Sequence, residues 1–202
     1  MVEIHTFKGG YDRNFFYLVI DGKEALIIDG YSSDKIKKKF DNLELKYIIN
    51  THSHEDHTEG NNFYKELGGK IVGFSEGDIK VSDGDELEFG KTKIRFIHTP
   101  GHTEDSICIL IDGNLFTGDT LFVGKVGGTG LGKDAKDEWD SLQKLMKLPD
   151  STIIYPGHDY GIKEKSTVAN EKKTNPFFSK DFKYFLWLKE NWLEYKAEHG
   201  IK

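Results

Sequence analysis

The chain predicts a mixed α/β (α+β) fold in which two sheets pack face to face with helices outside. Three observations carry that expectation. Short apolar runs come in pairs joined by turn dipeptides, as antiparallel hairpins do. Runs with apolar residues three or four apart interrupt the pairs, as helices covering a sheet do. The hairpin-then-helix order occurs twice along the chain, so each sheet can carry its own helical layer.

The elements follow in order. Phe15 to Ile20 and Ala25 to Ile28 flank Asp21-Gly22, a hairpin signal, and Asp29-Gly30 ends the second strand. Ser33 to Asn42 has helical spacing, with Ile36 and Phe40 four apart. Tyr47 to Ile49 reads as a buried strand, Phe63 to Leu67 as a helix stopped by Gly68-Gly69, and Ile71 to Phe74 as a strand. Glu86 to Phe89 and Thr92 to Ile97 form a hairpin around Gly90-Lys91. Ser106 to Ile111 and Asn114 to Thr117 form another around Asp112-Gly113. Glu138 to Leu148 and Lys163 to Lys173 read as helices on either side of a strand, Thr152 to Tyr155. From Phe182 to Glu198 the apolar residues fall mostly three or four apart, which predicts an amphipathic closing helix.

Size and composition bound the function. A chain of 202 residues suits one domain over 1–202, with a helix within 178–198 packed on it. A net charge of -6 excludes a nucleic-acid footprint, which needs clustered excess Lys and Arg. The run Lys35 to Lys39 is read as the wet face of a helix. No apolar run is long enough to span a bilayer, and the first ten residues do not resemble a secretory leader. The single cysteine, Cys108, allows no internal disulfide and sits in an apolar run as a small hydrophobe. A cytoplasmic location is therefore expected. Composition says nothing about oligomeric state.

The chemistry concentrates between Thr51 and Thr58, where Thr-His-Ser-His-Glu-Asp-His-Thr packs three histidines and two carboxylates into six consecutive residues. Imidazole and carboxylate are the ligands that borderline divalent metals prefer. Residues two apart point the same way on an extended segment, so His52 and His54 can converge on one point. Asp56 and His57 are adjacent and more naturally serve a second point. Two further histidines follow Pro-Gly turns, His102 and His158, and Asp119 lies in Gly118-Asp119-Thr120. His52, His102, Asp119 and His158 each follow the end of a predicted strand, where loops on a rigid scaffold present catalytic groups.

These residues divide into His52, His54 and His102 for one ion and Asp56, His57 and His158 for another. Asp119 lies between, because a carboxylate has two oxygens to share. Two divalent ions per chain are expected, zinc first, with iron and manganese as alternatives. A shared metal-bound water would supply hydroxide at neutral pH, and an ion would polarise a carbonyl. The reaction class is hydrolysis of an activated acyl compound: a thioester, lactone or amide. Asp56 is read as a ligand, with a proton shuttle as its alternative role. A metal-stabilised binding module would not need seven ligands around an open position.

The set of motifs resembles the metallo-β-lactamase superfamily: the His-rich run, Asp29, Pro-Gly-His-Thr at 100–103, Gly-Asp-Thr at 118–120 and Pro-Gly-His at 156–158. The resemblance spans Phe15 to about Pro176. It implies a four-layer αββα sandwich of two mixed sheets, with a dinuclear site at the sheet edges. It also implies that Asp29, with Thr51 and Thr120, stands behind the ligands. Within the superfamily the chain is similar to the glyoxalase II group, the hydroxyacylglutathione hydrolases. The similarity rests on Leu115 to Val123, on Pro156 to Tyr160, and on Asn170-Glu171 with Asn175-Pro176. That group hydrolyses thioesters of glutathione, which makes a small-molecule thioester the expected substrate, with Tyr160 as a contact. Lys125, in a loop that departs from the group, is a second candidate contact, with a solvated loop lysine as its alternative.

Two departures from the group stand out. The loop Gly124 to Gly130 replaces a Gly-Cys-Gly stretch and has no aromatic residue of its own. Some thirty residues follow Asn170, which read as a closing helix rather than the group's full helical substrate domain. Persulfide dioxygenases, which share the ending Pro-x-His-Asp-Tyr, use one iron on the equivalents of His52, His102 and Asp119. They are the alternative reading, together with a small lactonase.

Overall fold

The computed structural model describes residues 1–201, and of Asp34 and Lys35 only the backbone. Two six-stranded sheets face each other. The first runs in the order β1 (Glu3–Gly9), β2 (Asn14–Asp21), β3 (Glu24–Ile28), β4 (Glu44–Ile49), β5 (Lys70–Gly73) and β6 (Ile79–Lys80). It is mixed, antiparallel from β1 to β3 and parallel from β3 to β6. The second sheet is built from β7 (Glu86–Phe89), β8 (Thr92–His98), β9 (Ile107–Ile111), β10 (Asn114–Gly118), β11 (Ile153–Pro156) and β12 (Ser166–Thr167), in the order β12-β11-β10-β9-β8-β7. Here β10 and β11 pair in parallel and the other pairs are antiparallel.

Period-two alternation on strands apolar on both faces separates the layers. On β2, Phe15, Tyr17 and Val19 point inward. They meet Ile94, Phe96, Ile109 and Phe116 of the other sheet in a shared core. Phe16 and Leu18 point outward to Ile36 and Tyr64, residues of α1 (Asp34–Lys37) and α3 (Asn61–Glu66). The outer face of the second sheet packs on α4 (Lys133–Leu145), α5 (Val168–Thr174) and α6 (Phe182–Glu198), through Leu142, Val168, Phe185 and Leu188. Burying such a Leu or Phe contributes about 1.5–3 kcal/mol each. The expected αββα sandwich is present.

Both expected hairpins around Gly90-Lys91 and Asp112-Gly113 form, as does the closing helix from Phe182 to Glu198. Some boundaries differ. The helix expected over Ser33 to Asn42 is four residues of α1 followed by a 3-10 turn, Lys38–Phe40. Lys37, Lys38 and Lys39 are exposed, as the wet-face reading requires, while the Lys35 side chain lies outside the description. The helix expected from Glu138 begins at Lys133 and ends at Leu145. The helix expected over Lys163 to Lys173 starts only at Val168. Ser166 and Thr167 first pair with β11, and the Thr167 side chain accepts from the Asn170 N–H as an N-cap. Strands β1 and β6 and the one-turn helix α2 (Glu55–Thr58) add to the expected elements.

Candidate functional site

The ends of β4, β8, β10 and β11 deliver the candidate ligands to one edge of the sandwich. β4 runs out into Asn50, and the chain bends through Thr51, His52 and Ser53, leaving the His52 and His54 rings 4.6 Å apart. His54 is the N-cap of α2, with φ -61° and ψ 145°. The helical turn that follows swings Asp56 and His57 to a second point. That turn lets the adjacent Asp56 and His57 face the same point.

Two triads result, His52 with His54 and His102, and Asp56 with His57 and His158. In the first, His54 Nδ1 lies 3.0 Å from His52 Nε2 and 3.2 Å from His102 Nε2. In the second, His57 Nε2 and His158 Nε2 are 3.2 Å apart, and each is 3.5 Å from Asp56 Oδ2. Asp119 stands between them. Its Oδ1 is 3.5 Å from His57 Nε2 and 3.3 Å from His158 Nε2, and its Oδ2 is 3.6 Å from His102 Nε2.

These separations test whether the residues fit divalent ions. Ligand bonds of about 2.0–2.1 Å in tetrahedral array place donor atoms about 3.3–3.4 Å apart. The spacings within each triad match that figure. Asp119 Oδ1 is moreover buried with no hydrogen-bond donor, a costly arrangement for a carboxylate unless a cation answers it. The donor set fits a metal in both triads.

The outer nitrogens of the histidines explain why the inner ones face the centre. His57 Nδ1 pairs with Asp29 Oδ2 at 2.9 Å, His102 Nδ1 with the Gly128 carbonyl at 2.6 Å, and His158 Nδ1 with the Asp12 carbonyl at 2.8 Å. His52 Nδ1 lies 3.1 Å from the Thr51 hydroxyl, which itself donates to Asp29 Oδ2 at 2.7 Å. Each acceptor fixes a tautomer with the Nε2 lone pair directed inward. Asp29 also accepts the Thr51 N–H at 2.7 Å and holds this position with φ 51°, in the left-handed region. Asp29 and Thr51 therefore stand behind the His57 and His52 rings. Thr120 does not: its hydroxyl pairs with Thr99 Oγ1 at 3.0 Å, on the side of Cys108.

Electrostatics divide the cluster. Burial and the neighbouring His57 push His52 down to about 2, so it stays a neutral donor. Burial also opposes charge on His57, but Asp29, Asp119 and Asp56 outweigh it and raise His57 to about 9. Burial resists ionisation of Asp119 too, yet His158 and His57 hold its carboxyl well below the usual range. Cys108 is fully buried and pushed up to about 12 by that burial, so it is no nucleophile.

Tyr160 stacks on His158, with ring centroids 4.7 Å apart and 3° between planes, and its hydroxyl is taken by the Asp12 carboxylate. Lys125 Nζ lies 5.1 Å from the Tyr160 ring centre, and the Arg13 guanidinium 4.9 Å. A cavity of about 320 Å³ opens here, lined by Phe122, Lys125, Gly128, Tyr160, Phe177 and Trp192. The loop after Val123 has no aromatic of its own, but the fold brings four to it from elsewhere. Sequence reasoning missed Asp12, Asn14 and Gly128. Asp12 and Gly128 act through main-chain carbonyls, which leave no mark on side-chain type. Asn14 donates to Asp56 Oδ2 at 2.9 Å from 42 positions earlier in the chain.

The model of the metallo-beta-lactamase superfamily matches residues 9–73 and 62–158. A hydroxyacylglutathione hydrolase of Francisella tularensis subsp. novicida is 37% identical over 163 residues, 73% of this chain and 64% of that protein. The chain thus spans a little under two thirds of that relative's length. The crystal structure of ETHE1 from Myxococcus xanthus matches with a TM-score of 0.83 at 30% identity, over 94% of this chain and 91% of that one. The structure of TTHA1623 in a di-iron-bound form matches with a TM-score of 0.73 at 26% identity, over 86% and 99%.

Proposed function

The chain belongs to the metallo-β-lactamase superfamily, and from that membership we propose a metal-dependent hydrolase that cleaves an activated acyl compound, a thioester before others. The observation that carries the proposal is Asp119, which offers one oxygen to each triad and leaves Oδ1 without a donor. His52, His54 and His102 would hold one divalent ion, Asp56, His57 and His158 a second, with Asp119 shared. When bound, two such ions supply Lewis acidity, bringing a shared water towards ionisation at neutral pH and polarising a carbonyl.

The chain's own groups do the rest. Asp29, Thr51 and the carbonyls of Asp12 and Gly128 hold the imidazoles aimed inward. Asn14 fixes the Asp56 carboxylate, whether that group serves as ligand or as proton shuttle. Lys125 lines the cavity beside Tyr160 and Arg13 lies near the same ring, positive charge that suits an anionic thiol carrier. Tyr160 offers its ring rather than its hydroxyl, since Asp12 takes the latter. The hydroxyacylglutathione hydrolase relatives support glutathione as that carrier.

A second reading is a persulfide dioxygenase with one iron on His52, His102 and Asp119, which the likeness to the dioxygenase ETHE1 favours. The separate support given to Asp56 and His57 by Asn14 and Asp29 favours two ions. Turnover of lactoyl-glutathione beside a simpler thioester tests the proposal. Hydrolysis of either, lost on chelation, is expected. Inertness of the metal-loaded protein towards both contradicts it.

A further inference from the structure

We propose that Lys189 of the C-terminal helix is a positioning residue for His102, acting with Glu138 through the Gly127–Thr129 loop; this rests on the reading of the first triad as a metal site. Lys189 Nζ donates to the Gly127 carbonyl at 2.9 Å. The next carbonyl, of Gly128, accepts from His102 Nδ1. The ammonium is thus one peptide away from the group that orients this imidazole.

Lys189 is itself held. Its Nζ lies 2.7 Å from Glu138 Oε2, with the carboxylate fully buried and the lysine side chain 8% exposed. Burial raises the Glu138 carboxyl, and Lys189 and the Thr129 hydroxyl pull it back. Burying such a pair costs desolvation that an apolar pair would avoid. Its presence under a functional loop gives that cost a use.

Glu138 also braces His102 from the other side. A Cβ on Gly101, which has φ 142°, would lie 2.5 Å from the Glu138 Cα, so the turn before His102 rests directly on helix α4. Ser141, on the same helix, donates to the Pro100 carbonyl at 2.8 Å. The backbone of Glu138 thus supports the His102 turn, while its carboxylate, through Lys189, supports the loop that accepts from His102.

The test titrates the metal-free full-length chain with zinc against a chromophoric chelator. Lys189→Met is compared with the double variant Glu138→Gln/Lys189→Met, which leaves no buried charge unpaired and is expected to fold. One of two zinc affinities should fall about tenfold in each variant, at the lower end for groups behind a ligand, and the other should stay within twofold. Leu188→Ala, one residue away in the core, should lower the melting temperature and leave both affinities within twofold. In a His102→Ala background, Lys189→Met should cause no further loss. Equal loss at both affinities, no loss in the double variant, or a full additional loss in the His102→Ala background overturns the proposal. Absence of zinc binding by the parent chain overturns the metal reading as well, so the two failures are distinguishable.

Discussion

The two halves of the cluster are built from similar ligands and supported differently. Behind Asp56, His57 and His158 stand a buried carboxylate, a side-chain amide and a main-chain carbonyl, from Asp29, Asn14 and Asp12. Behind His52 and His102 stand neutral groups, the Thr51 hydroxyl and the Gly128 carbonyl. His57 and His158 are buried, whereas His54 is exposed and His102 half-buried. Charge behind a buried imidazole raises its affinity for any cation, a proton included. The second half therefore attracts positive charge by itself, while the first is neutral, more open, and dependent on a loop and the C-terminal helix.

The comparison breaks most severely at Asp29, which serves both halves. Asp29→Ala leaves the Thr51 N–H and hydroxyl and the His57 Nδ1–H without an acceptor. Each lost partner costs about 1–3 kcal/mol. Thermal melts should show a large loss of stability, and zinc affinity should fall about 10- to 100-fold. Unchanged affinity would remove Asp29 from the site.

Two glycines separate the halves. A Cβ on Gly157 would lie 2.5 Å from Asp119 Oδ1 and 3.0 Å from His57 Cε1, and one on Gly127 would lie 2.0 Å from the Asp119 carbonyl and 3.1 Å from His102 Nδ1. Each alanine costs about 1–3 kcal/mol in overpacking. Gly157→Ala should weaken the second affinity more, and Gly127→Ala the first, in the same zinc titration. The reverse ranking would contradict the division.

Protons sharpen it further. His57 is raised to about 9 and His52 lowered to about 2 in the metal-free chain. At pH 7 the second half must release a proton to take a metal, and its apparent affinity should rise as pH rises towards 9. In the first half His52 and His102 are held below their ordinary value by burial, so its affinity should change less. Calorimetry in buffers of different ionisation enthalpy should count more protons released in one binding step than in the other, since His57 and His158 are raised and His52 and His102 lowered. By linkage, the stabilisation from charged His57 is full below the unfolded value near 6.5 and is lost as pH rises through 9. The metal-free melting temperature should fall over that interval, and Asp29→Asn should flatten the fall.

The smallest effect is expected at Cys108. Cys108→Ala removes a buried sulfur beside Thr99 and should cost about 1 kcal/mol, with turnover unchanged. Loss of turnover would give the thiol a role that its burial excludes.

The sequence made the candidate ligands legible because each sits in a short motif whose residue types have few other uses together. The strands that deliver them were legible for the same local reason, as apolar runs ending in turns. Strand β1 escaped because its residues are exposed or half-buried at a sheet edge, so no clean alternation marks it. The start of α5 was misplaced because Ser166 and Thr167 pair across to β11, which local spacing does not record. Support for the ligands was partly hidden. Asp29 shows in the sequence as a charged residue at a strand end, but the carbonyls of Asp12 and Gly128 act regardless of side chain. Lys189 and Glu138 are 51 positions apart and on separate helices, where a lysine and a glutamate read as solvent-facing residues.

The central claim is that both halves hold an ion. Elemental analysis of the saturated chain, run beside oxygen uptake on glutathione persulfide, tests it most directly. Two ions per chain, thioester hydrolysis and no oxygen uptake are predicted. One iron per chain with oxygen consumed would contradict it.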